Sequence, residues 1–125
     1  MRNRNTILII DDDPDFLSSL KAMLESVGYQ VVAAGSGAEG VRLFKEQKPA
    51  MIICDIMMEK IDAGIRLVRE IRELDKKVPI YLLSDIGTLT GSNIDVHEIG
   101  CSGTLQKPYD IDEILRLVKQ EMDKK

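Results

Sequence analysis

One histidine and two cysteines are all that this sequence offers as imidazole or thiolate metal ligands. His97, Cys54 and Cys101 show no metal-binding or redox spacing, which argues against a structural zinc site. The same scarcity leaves too little from which to build a serine or cysteine triad on His97. No basic run is present and the formal net charge is −4, so direct nucleic-acid binding is not expected. No apolar stretch reaches the roughly 20 residues of a membrane span. The opening Met1-Arg2-Asn3-Arg4-Asn5 lacks the apolar core of a signal peptide, so a cytoplasmic location without membrane association is expected. Repeats, low-complexity tracts and linkers are missing too. What is there, 125 residues with 44% hydrophobic and 30% charged, has the size and composition of one folded domain, expected to span 1–125.

The chain is organised around Met51-Ile52-Ile53-Cys54-Asp55. A continuous apolar run this short suits a strand buried on both faces, as in parallel sheets covered by helices. Cys54 reads as a small core residue within it. Asp55 then falls at the strand's C-terminal end, the edge at which open α/β sheets bind ligands. The plainer reading is a turn-forming or helix-capping aspartate.

The rest of the chain repeats the pattern. Thr6 to Ile10 is a second apolar run and ends in Asp11, Asp12 and Asp13. Asp13 can cap a helix that starts at Pro14, carries Phe16, Leu20, Met23, Leu24 and Val27 on one stripe and stops at Gly28. A strand from Tyr29 to Ala34 follows. Ser36 and Glu39 have capping-box spacing, and the next helix turns Val41 and Phe44 inward and stops before Pro49. After the central strand, residues 56–62 read as a loop. Ile65, Val68, Ile71 and Leu74 mark a helix from about Ala63 to Asp75. Val78 to Leu83 is a fourth buried strand, ending at Ser84 and Asp85. The 86–100 segment holds three glycines and a weak apolar pattern, so a short, frayed or displaced fourth helix is expected. Ser102 to Leu105 is a fifth strand, followed by Lys107 and Pro108. Asp110 and Glu113 have capping spacing before a last helix with Ile111, Ile114, Leu115, Val118 and Met122.

Strand and helix alternate throughout, which predicts an α/β fold with a parallel sheet and helices on both faces. The common doubly wound, flavodoxin-like order for five strands is 2-1-3-4-5, with its switch point between the first and third. Those strands end in Asp11–Asp13 and in Asp55, so the carboxylates converge on the predicted crevice. Ser84 and Lys107 reach the same rim from the fourth and fifth strands. Clustered carboxylates repel unless a cation joins them, and Mg²⁺ needs only one or two carboxylates besides waters and phosphate oxygens. A carboxylate can be the covalent nucleophile in phosphoryl transfer. A lysine supplies a compact cation and a serine hydroxyl a donor for a phosphate. Singly these residues read as a cap, solvated acids, a strand-end serine and a surface lysine. Jointly, after four different strands of one sheet, they read as a site.

On these residues the sequence resembles the receiver domain of two-component response regulators. The resemblance covers essentially the whole chain. It rests on Ile7-Leu8-Ile9-Ile10-Asp11-Asp12-Asp13-Pro14, on Ile52-Ile53-Cys54-Asp55-Ile56-Met57-Met58, on Tyr81-Leu82-Leu83-Ser84 and on Lys107-Pro108-Tyr109. It implies that Asp55 is phosphorylated from the phosphohistidine of a sensor histidine kinase or phosphotransfer protein. Asp12, Asp55 and the backbone carbonyl of Met57 would then ligate Mg²⁺, with Asp11 acting largely through water. Ser84 and Lys107 would contact the phosphoryl group. The domain would catalyse only its own phosphorylation and dephosphorylation, and its product would alter the surface around the fourth helix and fifth strand, read by a downstream protein. Met57 and Ile86, two residues after the phosphoacceptor and the switch hydroxyl, would set the lifetime of the phosphorylated state, with Asp85 adding a nearby charge.

The chain departs from the family's pattern in several places. Glu59 stands where proline is usual, and Asp62-Ala63-Gly64 where Asp-Gly is usual. Asp85 replaces a small residue. Thr104 replaces an aromatic switch residue, so a response to phosphorylation is expected in 86–100 instead. The Ser84 to Lys107 spacing (107 − 84 = 23) is about one residue longer than the resemblance leads one to expect. Two other functions compete: a phosphorylation-independent docking module on the same fold, favoured by Thr104 and the irregular 86–100 segment, and a hydrolase of the aspartate-nucleophile phosphatase type. For the hydrolase, Asp11 and Asp13 mimic its Asp-x-Asp but Pro14 and Asp15 do not continue the motif.

Overall fold

Strands that are apolar at consecutive positions need a cover on both faces of their sheet. The computed structural model, which describes residues 3–55, 61–85, 102–107 and 111–123, has that architecture. The elements are β1 (Asn3–Ile10), α1 (Pro14–Ser26), β2 (Gln30–Ala34), α2 (Gly37–Gln47), β3 (Pro49–Asp55), α3 (Ile61–Leu74), β4 (Ile80–Asp85), β5 (Gly103–Lys107) and α4 (Ile111–Met122). The five strands lie in the order β2-β1-β3-β4-β5, all parallel, as the sequence predicts.

Alternation along each strand divides the core into two layers. Leu8, Ile10, Ile52, Cys54, Ile80 and Leu82 pack with Val41 and Phe44 of α2 and Leu67, Val68 and Ile71 of α3. Ile7, Ile9, Met51, Ile53 and Leu83 pack with Leu20 and Leu24 of α1 and Ile114 and Val118 of α4. Each of these large side chains, fully buried, contributes about 1.5–3 kcal/mol through water exclusion. The α2 side is held at close quarters: a Cβ on Gly40 would lie 2.6 Å from Ile10 Cδ1, so α2 approaches β1 as nearly as a glycine allows.

The helix ends follow the local chemistry. Asp13 Oδ1 accepts from the backbone N–H of Asp15 (3.0 Å) and Phe16 (3.4 Å), capping α1. Gly28, at φ 102°, takes the left-handed turn that ends it. At α2, Ser36 Oγ accepts from Glu39 N at 3.2 Å. Glu39 reaches back one residue further than a capping box requires, accepting from Gly35 N at 2.8 Å.

Several boundaries differ from expectation. β1 and β3 start earlier, at Asn3 and Pro49, and β2 starts one residue later, at Gln30. β5 runs on to Lys107, because parallel pairing with β4 continues past the last apolar residue. β4 begins at Ile80 rather than Val78, since Asp75 Oδ1 accepts from Lys77 N and Val78 N and folds that stretch into a turn. α3 starts at Ile61, two residues early, and ends at Leu74. Val27 and Leu74 are 53% and 52% exposed: both lie at helix ends, where the stripe has run past the sheet. Most of the 56–62 loop, the 86–100 segment, Cys101 and the Asp110 cap lie outside the described residues. Among the described residues no helix is long and apolar enough to cross a membrane.

Candidate functional site

Strand register sets the geometry of the rim. Ile10 pairs with Cys54, so Asp11 and Asp55 come next on neighbouring strands at one level. Asp55 pairs with Leu83, and Leu83 with Leu105. One residue further along, Ser84 pairs with Gln106, and one further still, Asp85 pairs with Lys107. At about 3.3 Å of rise per residue, the backbone of Ser84 stands roughly 3 Å beyond the level of Asp55 and that of Lys107 roughly 7 Å beyond it.

Each acid is fixed by a different local cause. The N–H of Asp11 donates to Ala34 O at 3.0 Å, carrying the β1–β2 ladder one residue past β1. Its side chain is buried, 4% exposed, and Oδ1 accepts from Asp13 N at 3.0 Å. That bond closes the turn 11–13 and delivers Asp13 to its capping position. Asp12, between them, is exposed. Asp55 is half-buried, and its Oδ1 atom is buried. It extends the Met51, Ile53 alternation, as Asp11 extends Ile7 and Ile9, so both positions belong to the α1/α4 side of the sheet. Cys54 is buried in the core, as expected, and its thiol donates to the carbonyl of Asp55 at 3.7 Å.

Asp11, Asp12 and Asp55 are thus brought to one end of the central strands. Ser84 and Lys107 follow by backbone register. Asp85 is not a residue after the strand but the last residue of β4, in register with Lys107. Met57 and Ile86 lie outside the described residues. No group of three or more His, Cys, Asp or Glu side chains among the described residues is placed to hold a metal ion by itself. The donor set suits a hard cation that keeps most of its water and takes one or two carboxylates: half-buried Asp55 and an exposed acid, Asp12, one residue past the level of Asp55 on the neighbouring strand.

Sequence reading missed one group deeper in the sheet, level with Ile53 of β3. Tyr81 Oη donates to Glu121 Oε1 of α4 at 2.7 Å. A Cβ on Gly103, its register partner, would meet the Tyr81 ring at 2.8 Å. Burial, the hydrogen bond to Glu121 and that carboxylate's charge push the Tyr81 hydroxyl up to about 12. The partners are 40 residues apart, and no periodic pattern links them.

The chain is similar to known proteins over nearly its whole length. The response regulator receiver domain family matches residues 7–119. Among curated proteins, the transcriptional regulatory protein GlrR of Escherichia coli is 32% identical over 94% of this chain and 26% of its own length. The response regulator Rre1 of Synechocystis is 32% identical over 91% of this chain and 50% of its own. The chain therefore spans about a quarter to a half of such relatives. Among solved structures, a response regulator receiver domain protein from Clostridium thermocellum superposes with a TM-score of 0.83 at 28% identity, covering 94% of both chains. A putative response regulator from Chloroflexus aurantiacus gives 0.82 at 31% identity, covering 96% of this chain and 98% of that one.

Proposed function

Since the chain belongs to the response regulator receiver domain family, we propose that Asp55 is its phosphoacceptor and that residues 1–125 act as a single receiver unit. One observation carries this reading. Asp11 and Asp55 leave adjacent central strands at the same level, with Ser84 and Lys107 stepped beyond Asp55 on the next two strands. Ser84 and Lys107 therefore stand at the same end of the sheet as Asp55, within the reach of strand-end side chains toward one phosphoryl group.

The transfer is a displacement at phosphorus. A carboxylate oxygen of Asp55 attacks the phosphoryl group of a kinase or phosphotransfer phosphohistidine, the new O–P bond forms, and the P–N bond breaks. The electron pair leaves on the imidazole, which takes up a proton. Ser84 donates a hydrogen bond to a phosphoryl oxygen and Lys107 neutralises the charge that gathers there. Asp12 and Asp55, with the backbone carbonyl of Met57 and with Asp11 through water, are the groups that would hold Mg²⁺. When bound, the ion offsets the carboxylate charges and orients a phosphoryl oxygen. Hydrolysis of the acyl phosphate returns Asp55 to the free acid, so the domain catalyses only its own modification and its reversal. The phosphorylated surface then selects a downstream protein partner.

Mass spectrometry after incubation with Mg²⁺ and a small phosphoryl donor tests the assignment. Wild type gains one phosphoryl group on the peptide containing Asp55, and Asp55→Asn gains none. Labelling that persists unchanged in Asp55→Asn rejects it. Partner capture that is indifferent to donor, Mg²⁺ and the Asp55 variant selects the phosphorylation-independent docking reading instead.

A further inference from the structure

Three contacts pin the start of β5, and the residue that makes the third also reaches across to the last helix. Ser102 N donates to Ile80 O at 2.7 Å, and Ile80 N donates to Ser102 Oγ at 3.1 Å. One residue on, the ring of Tyr81 lies against Gly103, where a Cβ would stand 2.8 Å from Cε2 and 3.2 Å from Cδ2. The hydroxyl of the same ring donates to Glu121 on α4 at 2.7 Å. β5 is an edge strand of the sheet and, among the described residues, has β4 as its one strand neighbour, so contacts on its faces count heavily in fixing it.

We propose that Tyr81 is a positioning residue for Lys107: seated on Gly103 and tied to Glu121, it sets where β5 runs relative to α4. The ladder that pairs Tyr81 with Gly103 is the one that pairs Asp85 with Lys107 four residues later. A tilt of β5 at Gly103 is therefore carried along the strand to its end. Any side chain at position 103 pushes the ring off the strand and breaks its bond to Glu121. Loss of the hydroxyl leaves the ring seated and frees α4. By linkage, whatever holds α4 in its present seat also favours the present place of Lys107. The role of Lys107 in this inference rests on the phosphoacceptor reading above.

The test separates ring, hydroxyl and carboxylate. Tyr81→Phe, Gly103→Ala and Glu121→Gln are compared with wild type by the backbone amide resonance of Lys107 and by the rate of Asp55 labelling against donor concentration. Tyr81→Phe and Gly103→Ala are expected to move the Lys107 resonance and to lower the limiting labelling rate several-fold, with half-saturation unchanged. Glu121→Gln, which still accepts from Tyr81 Oη, is expected to stay within about twofold of wild type. Leu117→Ala on the same helix controls for loss of stability alone. An unmoved Lys107 resonance in both Tyr81→Phe and Gly103→Ala overturns the proposal. So does an equal rate loss in Leu117→Ala. Equal labelling of wild type and Asp55→Asn would remove the phosphoacceptor reading only. The Lys107 resonance, recorded without donor, would still decide the coupling.

Discussion

Ile10 and Cys54 are register partners on adjacent parallel strands, so Asp11 and Asp55, which follow them, arrive at one level. Two acids arriving together without a cation oppose one another. The cation that relieves this also stabilises the fold by mass action, by about 2.7 kcal/mol when it is present at about 100 times its dissociation constant. Added Mg²⁺ should therefore raise the thermal midpoint of the wild type. Asp12→Ala should lose that rise and the Mg²⁺-dependent labelling while keeping its circular dichroism spectrum. An equal Mg²⁺-induced rise in both proteins would show that Asp12 is not a ligand.

The contact between Gly40 and Ile10 predicts a reversal of sign. Gly40→Ala gains helix propensity worth about 1 kcal/mol. It also drives a methyl group to 2.6 Å from Ile10 Cδ1, and overpacking of this kind costs about 1–3 kcal/mol. In wild type the substitution should destabilise, or at best be neutral. In an Ile10→Val background, where Cδ1 is gone, it should stabilise. Urea unfolding of the four proteins of that cycle measures the coupling; additivity would mean that the two side chains do not meet.

Alkali should expose the Tyr81–Glu121 pair. The Tyr81 hydroxyl is raised from 10.0 to about 12 by burial, by its hydrogen bond to Glu121 and by that charge. A group raised in the folded state contributes stability that is complete below its unfolded value and is lost as pH climbs through the folded one. The wild-type advantage over Tyr81→Phe should thus be constant below pH 10 and shrink between 10 and about 12. Tyr29, also raised by burial and by Asp123, is common to both proteins and cancels. Chemical unfolding at stepped alkaline pH follows the difference, and parallel curves would contradict it.

Met57 and Ile86 should prolong the phosphorylated state. Hydrolysis needs a water held in line with the bond to phosphorus, and neither side chain holds water by a strong hydrogen bond. Met57→Asn and Ile86→Glu should each speed the decay of labelled protein. Unchanged decay in both would mean that water exclusion by these residues does not set the rate. Asp85, in register with Lys107, should slow labelling by small anionic donors, and Asp85→Ala should quicken it.

The sheet order and both acid-bearing strands were legible because buried parallel strands write themselves as unbroken apolar runs, as at Ile7–Ile10 and Met51–Cys54. The caps at Asp13 and Ser36 were legible because capping is local in sequence. Strand ends were less so. Backbone pairing carries β4 to Asp85 and β5 to Lys107, and polar side chains there give no apolar signal. The exposure of Val27 and Leu74 depends on where the sheet stops beneath each helix, a tertiary fact. The Tyr81–Gly103–Glu121 contact joins three elements whose sequence separation hides it.

Order along the chain and order across the sheet differ, and biosynthesis meets the difference first. A nascent chain that has emerged as far as Asp55 already owns β2, β1 and β3, the strands at the middle and one edge. Both acids are then in hand, but Lys107 and α4 are still to be made. Ile7, Ile9, Met51 and Ile53, which α1 and α4 share as a floor, lie half uncovered until Ile114 and Val118 arrive. For that interval the ribosome-bound half-domain presents a greasy, acid-rimmed face, the kind of surface that chaperones shield and that neighbouring nascent chains stick to.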